Sequence, residues 1–375
     1  MNATSISPYH PKISHSRLNI FVFSLFSLLF LPNETMAFPV GERHFVATEV
    51  SAEKRNADHQ DKLRVTIWYP ALNGSDEQSL DIGPVNDPRF KPGSAAPDAP
   101  FFDTQRRPVI LLSHGFGGSA RIMAWFGTAL AREGYIVIAP DHPGNNSLDP
   151  MTLGGALLFW KRPADLATAL HAAETEPLIR EHLDLSRVGV AGFSAGGFTS
   201  LSVAGARVDL SKLLAFCKAQ PTDGVCAPQK EFPISYQNST SFFKKPEVVS
   251  DVALAGDDMS IPEVKAAFVM APALVQSFNP TSLRQIKIPV TIIAGDSDIT
   301  APPSTNADIA ASLISGSQIY HLPKVTHYDF LSECGPNSIA HIDICHSLRD
   351  RKQIHQDVLY SALNFFDKTL QNSKK

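Results

Sequence analysis

The sequence lacks a strong net charge. Its 375 residues contain 33 Lys and Arg against 37 Asp and Glu, which gives a formal net charge of -4. No run of like charges stands out, and no basic field is present that would attract nucleic acid. The sequence therefore predicts a small or neutral partner rather than nucleic acid, and it indicates no oligomeric state.

The apolar run near the amino terminus is too short to span a bilayer. It covers residues 18–31, about 14 residues, and two basic residues precede it. Small residues at Thr35 and Ala37 suit cleavage before Phe38. We therefore expect a signal peptide at residues 1–37, a mature domain at residues 38–375 that is secreted or periplasmic, and no stable membrane insertion after cleavage. An uncleaved membrane anchor is the alternative.

Cysteine is scarce, with only four residues in the chain. They form two close pairs in the sequence, Cys217 with Cys226 and Cys334 with Cys345. In an exported protein this predicts two local disulfides, each closing a loop of about ten residues and stabilising the fold by roughly 2.5–3 kcal/mol. Zinc is the alternative, but His341 and His346 lack the paired spacing of a tetrahedral site. We predict neither a metal nor a cofactor.

The apolar pattern predicts an α/β protein. Residues 43–50 and 63–69 resemble two antiparallel strands, and residues 71–107 resemble a long loop without a core. Further strands are predicted at 109–112, 135–139, 187–191, 266–270, 290–294 and 318–321, with helices at 119–133, 163–181, 304–314 and 353–370. Apolar strands joined by helical crossovers indicate a mostly parallel, doubly wound sheet with helices on both faces.

An insertion interrupts this alternation at about residues 206–262. It holds the first cysteine pair and several aromatic residues, including Phe242 and Phe243. We expect it to lie near the carboxyl edge of the sheet and to cap a ligand site there, so that Phe242 and Phe243 influence which substrates fit. A surface excursion without a function is the alternative.

One segment joins a predicted strand directly to a predicted helix through a serine. Val188 and Val190 belong to the strand, and Gly192-Phe193-Ser194-Ala195-Gly196 follows. Small residues at 192 and 196 allow a sharp turn that exposes the hydroxyl of Ser194 at the sheet edge. This pattern is typical of a nucleophile elbow, although the pentapeptide alone is a weak signal.

A nucleophilic serine needs a general base and a carboxylate that orients the base. After Ser194, the strand at 290–294 ends in turn residues that include Asp296 and Asp298. Asp298 is our candidate acid, since a short loop past the strand lets it turn back over the sheet edge, and Asp296 is the competitor. His327 follows the last predicted strand and is the candidate base, while Asp329 is interpreted as a solvated or loop-bracing carboxylate.

The reaction also needs backbone donors where negative charge develops. The N–H of Ala195 follows the nucleophile, and a glycine-rich loop, Ser113-His114-Gly115-Phe116-Gly117-Gly118, follows the first parallel strand. We predict that Phe116 and Ala195 form an oxyanion hole. The loop lacks the Gly-Lys-Ser/Thr ending of a phosphate-binding loop.

These motifs together resemble the α/β-hydrolase fold, and more narrowly the secreted proteins similar to dienelactone hydrolases and platelet-activating-factor acetylhydrolases. The resemblance extends to residues 65–70, 139–145 and 162–166. It implies the same roles for Ser194, Asp298 and His327. Dienelactone hydrolases proper use a cysteine nucleophile, whereas this chain has Ser194, which favours a serine esterase.

We therefore expect a serine hydrolase that acts on a small carboxylic ester, similar to esterases and lipases, through an acyl-enzyme on Ser194. The substrate could be a short-acyl lipid ester, a polyester or a xenobiotic ester. The alternatives are a secreted peptidase that acts on short peptides and a non-catalytic binding protein on a hydrolase scaffold.

Overall fold

A large β-sheet forms the centre of the fold in the computed structural model, which describes residue 1 and residues 37–236 and 239–370. The strands are β1 (Val40–Thr48), β2 (Lys62–Pro70), β3 (Gln78–Ser79), β4 (Phe90–Lys91), β5 (Ser94–Pro97), β6 (Arg107–Ser113), β7 (Ile136–Pro140), β8 (Leu183–Phe193), β9 (Val264–Met270), β10 (Val290–Gly295), β11 (Gln318–Leu322) and β12 (Glu333–Cys334). Ten of the described strands form this sheet, in the order β11-β10-β9-β8-β6-β7-β2-β1-β5-β3.

The sheet is mostly parallel. The strands from β11 to β7 in this order run parallel to their neighbours, whereas β2 is antiparallel to β7 and β1 is antiparallel to β2. This confirms the predicted mostly parallel sheet with antiparallel strands on its amino-terminal side. The carboxyl ends of β6, β8, β10 and β11 therefore meet at one edge of the sheet, where ligands bind in folds of this kind.

Helices cover both faces of the sheet. They are α1 (Ala124–Arg132), α2 (Leu153–Leu157), α3 (Arg162–Ala173), α4 (Ala195–Val203), α5 (Leu210–Ala219), α6 (Pro246–Ala253), α7 (Pro280–Gln285), α8 (Ala307–Leu313), α9 (Pro336–His341) and α10 (Arg351–Leu370). On β6, Val109 and Leu111 belong to the core under α3, α4 and α8, while Ile110 and Leu112 belong to the core under α1 and α10. Because both faces are buried, the parallel strands are continuously apolar.

Two predicted features of the fold differ from the structure. The helix expected at residues 163–181 ends at Ala173, since Pro177 cannot continue it and disfavours helical backbone in the residue before it. The prediction that residues 71–107 hold no core is wrong, because β3 and β5 extend the sheet beyond β1 and bury Leu80 and Ala95. These strands are too short and too poor in β-branched residues to produce a pattern in the sequence.

The predicted signal peptide falls almost entirely on residues 2–36, which lie outside the described part of the chain. Among the residues that the structure describes, no helix is both long enough and apolar enough to cross a membrane.

Candidate active site

Ser194 lies at the sharp turn between β8 and α4. Its backbone has φ 58° and ψ -118°, a conformation that costs a residue with a side chain about 1–3 kcal/mol. The turn is closely packed: a Cβ at Gly196 would overlap the carbonyl oxygen of Ser113, and a Cβ at Gly192 would overlap the carbonyl oxygen of Gly196. Glycine is therefore required at both positions, and the strained turn presents the hydroxyl of Ser194 at the carboxyl edge of the sheet.

Ser194, His327 and Asp298 form a hydrogen-bonded chain. The Ser194 Oγ lies 2.8 Å from the His327 Nε2, and the His327 Nδ1 lies 2.6 Å from the Asp298 Oδ2. All three residues are buried, with 4–6% of their surface exposed. Since a carboxylate only accepts, the Nδ1 of His327 donates to Asp298, and Nε2 is left to accept the proton of Ser194.

The loop after β10 holds Asp298 in this orientation. Its Oδ1 accepts hydrogen bonds from the backbone N–H of Thr300 at 2.9 Å and of Ala301 at 2.8 Å, while Oδ2 faces His327. The competitor, Asp296, lies 2.8 Å from the exposed His321 at the end of β11 and has no contact with His327. The structure thus brings Asp298, and not Asp296, to the candidate base.

His327 is held by a capped turn after β11. Thr326 donates to the Asp329 Oδ2 through its N–H at 2.7 Å and its Oγ1 at 2.8 Å, which forms a capping box at the start of the turn His327–Phe330. Asp329 is fully buried and faces Arg351. It braces the loop, and the alternative interpretation of Asp329 as a solvated carboxylate is wrong.

The glycine-rich loop after β6 approaches Ser194, and among the described residues the backbone N–H of Phe116 in this loop is free to donate. The N–H of Gly117 donates to the Asn145 Oδ1 at 2.8 Å, and the N–H of Gly118 donates to the Gly115 carbonyl at 3.2 Å. Within the described chain, the N–H of Phe116 has no hydrogen-bond partner. Ala195 is the first residue of α4, and the N–H groups of a helix's first turn have no partner inside the helix.

A neutral His114 fixes the start of this loop. Its Nδ1 donates to the Gly115 carbonyl at 2.7 Å, and its Nε2 accepts from the N–H of His142 at 3.1 Å. Burial is the main cause that holds the pKa of His114 well below its ordinary value, and the neighbouring His142 and Arg162 lower this pKa further. The ring therefore stays uncharged and serves as a fixed donor and acceptor within the loop.

A second serine, histidine and aspartate chain lies beneath this loop. Asp165 accepts from the His142 Nδ1 at 2.8 Å, and the His142 Nε2 lies 2.8 Å from the Ser113 Oγ. None of the three side chains reaches solvent, so substrate has no access to them. Asp165 also receives two hydrogen bonds from the buried Arg55, at 2.8 and 2.6 Å.

An apolar cleft opens above Ser194. Its volume is about 200 Å³, and it is lined by Ser194, His327 and the apolar residues Ile82, Phe90, Phe116, Ile122, Phe193, Leu331 and Ile344. A smaller recess, about 30 Å³ in volume, also reaches Ser194 and is lined by Ala195, Val225, Tyr236 and Leu274. The candidate nucleophile thus borders both cavities.

The insertion at residues 206–262 contributes to both cavities through its middle part. Gln229 and Glu231 line the cleft, and Val225 and Tyr236 line the recess. Phe242 and Phe243 line neither cavity. Both are buried, and the ring centroid of Phe243 lies 6.1 Å from that of Trp160. These two rings therefore do not line the candidate site, and their influence on substrate choice stays a prediction.

Disulfides flank the segments that surround the cleft. Cys217 is bonded to Cys226, just before Gln229, and Cys334 is bonded to Cys345, next to Ile344. In the described part of the chain, His, Cys, Asp and Glu side chains form no group of three or more arranged to hold a metal ion.

Together, the sheet order, the helices on both faces and the strand–serine–helix turn define the α/β-hydrolase fold, and this chain has that fold. A family model described as alpha/beta hydrolase fold matches residues 108–233, a segment that includes Phe116, Ser194 and Ala195. The narrower resemblance to dienelactone hydrolases and platelet-activating-factor acetylhydrolases stays a prediction.

The chain is also similar to several proteins with assigned names. Cutinase est2 and Cutinase est1 from Thermobifida alba are each 33% identical to this chain over 108 residues, which is 27% of this chain and 31% and 32% of those proteins. The chain thus matches about a third of the length of these curated relatives. A solved structure, a ferulic acid esterase from Streptomyces cinnamoneus, superposes with a TM-score of 0.58 at 18% identity, over 90% of this chain and 92% of that chain. At that identity the superposition shows the fold alone.

Proposed function

We propose that this protein is a serine hydrolase of carboxylic esters. The observation that carries the proposal is the hydrogen-bonded chain Asp298–His327–Ser194, whose serine and histidine line an apolar cleft. Relatives named cutinases support an ester rather than another bond.

In the proposed reaction Ser194 attacks the ester carbonyl carbon. Its Oγ forms a bond to that carbon while His327 Nε2 takes the hydroxyl proton, and Asp298 stabilises the resulting imidazolium. The negative charge on the former carbonyl oxygen is met by the N–H groups of Phe116 and Ala195. His327 then gives the proton to the alcohol oxygen, the C–O bond breaks, and an acyl-enzyme remains. A water molecule then attacks the acyl carbon while His327 takes its proton. His327 returns the proton to the Ser194 Oγ as the acyl C–O bond breaks, which releases the acid and restores Ser194.

The residues that line the two cavities suggest which part of the ester each cavity binds. His327 lines the larger cleft, and the leaving alcohol must take its proton from His327. Ala195, which carries one of the proposed oxyanion donors, lines only the smaller recess. We therefore assign the alcohol part to the larger apolar cleft and a short acyl group to the recess. A small apolar ester is the substrate class that fits both.

The test is hydrolysis of p-nitrophenyl esters of increasing acyl length by wild type, Ser194→Ala and Ser202→Ala. Ser202 is a matched control, since it is a buried serine in α4, the helix that follows Ser194, and its Oγ donates to the Ala206 carbonyl. Ser194→Ala should lower kcat by at least about 10³-fold, because the nucleophile is lost, while Ser202→Ala should stay near wild type.

Reaction with a fluorophosphonate probe separates the alternatives. Wild type should be labelled, and Ser194→Ala should not. An unaltered ester hydrolysis rate in folded Ser194→Ala would refute the assignment of Ser194. Failure of folded wild type to react with the probe would favour a binding protein, and faster cleavage of matched amides than of esters would favour a peptidase.

We also propose that the chain is exported, with residues 1–37 as a signal peptide. The two disulfides support this, since such bonds persist in oxidising compartments outside the cytoplasm.

A further inference from the structure

Arg162 is a buried cation beneath the glycine-rich loop. It is the first residue of α3, and only 1% of its surface is exposed. Its Nη2 donates to the carbonyl oxygen of His114 and lies 3.4 Å from the Ser113 Oγ, and its Nε donates to the Thr199 Oγ1 at 3.1 Å. Burying a charged side chain costs folding free energy, which indicates that Arg162 has a function that offsets this cost.

The contacts of Arg162 reach both segments that supply the proposed oxyanion donors. The His114 carbonyl precedes Phe116 by two residues in the loop after β6. Thr199 lies one turn beyond Ala195 in α4, and its Oγ1 donates to the Ala195 carbonyl at 2.9 Å. A single guanidinium thus connects the backbone next to one donor with the backbone of the other, through groups that are all buried.

Arg162 is not part of a direct ion pair within the described chain. No carboxylate oxygen lies within 4.0 Å of its nitrogens, and its Nη1 is buried without a hydrogen-bond partner. The neighbouring Asp165 is engaged by Arg55 and His142. Burial lowers the pKa of Arg162 to about 9, with Asp165 opposing the shift, so the side chain is charged at neutral pH. Its charge is therefore only partly offset, beside a site where negative charge would develop.

We propose that Arg162 is a positioning residue for the oxyanion hole: it holds the N–H groups of Phe116 and Ala195 at a fixed separation, and its charge favours the oxyanion. This inference rests on the proposed function. Backbone donors stabilise a transition state only when they lie at hydrogen-bond distance from the developing charge. A small shift of the glycine-rich loop relative to α4 would therefore weaken the hydrogen bonds that Phe116 and Ala195 donate to the oxyanion.

The experiment compares Arg162→Met and Arg162→Lys with wild type on p-nitrophenyl butyrate, below the unfolding temperature of each protein. Arg162→Met should lower kcat by about 10- to 10³-fold and leave KM within about threefold, because the loss falls on the transition state. The inhibition constant of phenylboronic acid, which forms a tetrahedral adduct with the serine, should rise together with the loss of kcat/KM. Arg162→Lys keeps the charge but has a single donor nitrogen, so it should recover part of the loss.

The matched control is Arg55→Met. Arg55 is equally buried and binds Asp165, but within the described chain it makes no hydrogen bond to the glycine-rich loop or to Thr199. This variant should lower the unfolding temperature yet keep kcat within about threefold of wild type. Equal kcat losses in Arg55→Met and Arg162→Met would reduce Arg162 to a structural role and overturn the inference.

Thr199 keeps the inference testable if Arg162→Met fails to fold. Thr199→Val removes the hydroxyl that connects Arg162 to the Ala195 carbonyl, and it should lower kcat by at least about fivefold, while Thr199→Ser should restore it. Wild-type kcat in folded Thr199→Val, or in folded Arg162→Met, would contradict the inference. An inactive wild type that does not react with a fluorophosphonate would instead contradict the proposed function.

Discussion

Asp296 and Asp298 lie two residues apart, but they face different partners. Asp298 is buried and receives two backbone N–H groups on one oxygen, so its other oxygen is directed at the His327 Nδ1. Asp296 is close to half exposed and faces His321. The difference arises because the tight turn after β10 points one side chain over the sheet edge and the other toward β11.

Replacing Asp298 by Asn tests its proposed role. Asn can still accept from Thr300 and Ala301 through Oδ1, but its amide would present a donor to His327 and favour the wrong tautomer of the ring. We expect kcat to fall by about 10³–10⁴-fold with little change in unfolding temperature. Steady-state hydrolysis of p-nitrophenyl butyrate measures the first effect and thermal unfolding the second.

Asp296→Asn is the control for this substitution, and its kcat should match wild type. If Asp296→Asn were the inactive variant and Asp298→Asn the active one, the acid would have been assigned to the wrong residue.

The segment that follows the Cys217–Cys226 disulfide contacts two other parts of the chain beside the cleft. The segment after Cys226 contributes Glu231, whose Oε1 accepts from the Tyr328 hydroxyl at 3.1 Å, and Lys230 lies 3.6 Å from Asp343 in the segment closed by Cys334 and Cys345. The Lys230–Asp343 pair is exposed and contributes little to stability. Because each disulfide shortens the free length of its segment, the walls of the cleft depend on both crosslinks.

The proposed export and the crosslinks predict one covalent form of the exported protein. Its chain should begin at Phe38 and lack the four thiol hydrogens of Cys217, Cys226, Cys334 and Cys345, since an oxidising compartment favours both bonds. Intact mass under non-reducing conditions, before and after reduction and alkylation, measures both features.

A free thiol at any of the four cysteines in folded, exported protein would contradict the disulfides. A product that retains residues 1–37 in the membrane fraction would support the anchor alternative instead.

Across the whole molecule, several histidines are buried in neutral form. Burial lowers the pKa of His114 and His142 well below their ordinary value, and it lowers that of His355 to about 3 from 6.5. The ring of His355 stacks on Trp125 with centroids 3.7 Å apart, and its Nε2 donates to the Leu331 carbonyl at 2.9 Å. The fold therefore holds these rings uncharged under conditions in which the unfolded chain would protonate them.

This burial predicts acid sensitivity with a definite sign. A histidine whose pKa is depressed in the folded state contributes stability that is present above pH 6.5 and is lost as the pH falls toward 3, because only the unfolded chain takes up the proton. Near pH 5, each such histidine should add about 1.4 kcal/mol per pH unit to the slope of the unfolding free energy. His355→Gln should reduce that slope by about this amount.

Urea unfolding at several values between pH 4.5 and 7 measures the slope. His346→Gln is the control, because His346 is exposed, and it should leave the slope as in wild type. A slope that His355→Gln does not change would mean that the ring is already charged in the folded protein.

Much of the fold and the candidate nucleophile could be predicted from local patterns. Ser194 follows an apolar strand and lies between glycines, and strand–turn–helix signals extend over only a dozen residues. Asp298 and His327 could be chosen because each follows a strand whose carboxyl end meets the same sheet edge. Chain order and periodicity are sufficient for such residues, since parallel strands bring their loops together whatever the details of packing.

Other features depend on contacts between residues distant in the chain. Arg55 and Asp165 are 110 positions apart, and nothing near either one indicates that both are buried as a pair. Arg162 and Asn145 stand in segments of the family resemblance, but no local pattern connects them to the oxyanion loop. The rings of Phe242 and Phe243 pack into the core rather than the cleft. Burial of a charge or a ring is settled by which partners the folded chain brings to it, and these partners become neighbours only when the sheet and helices have packed.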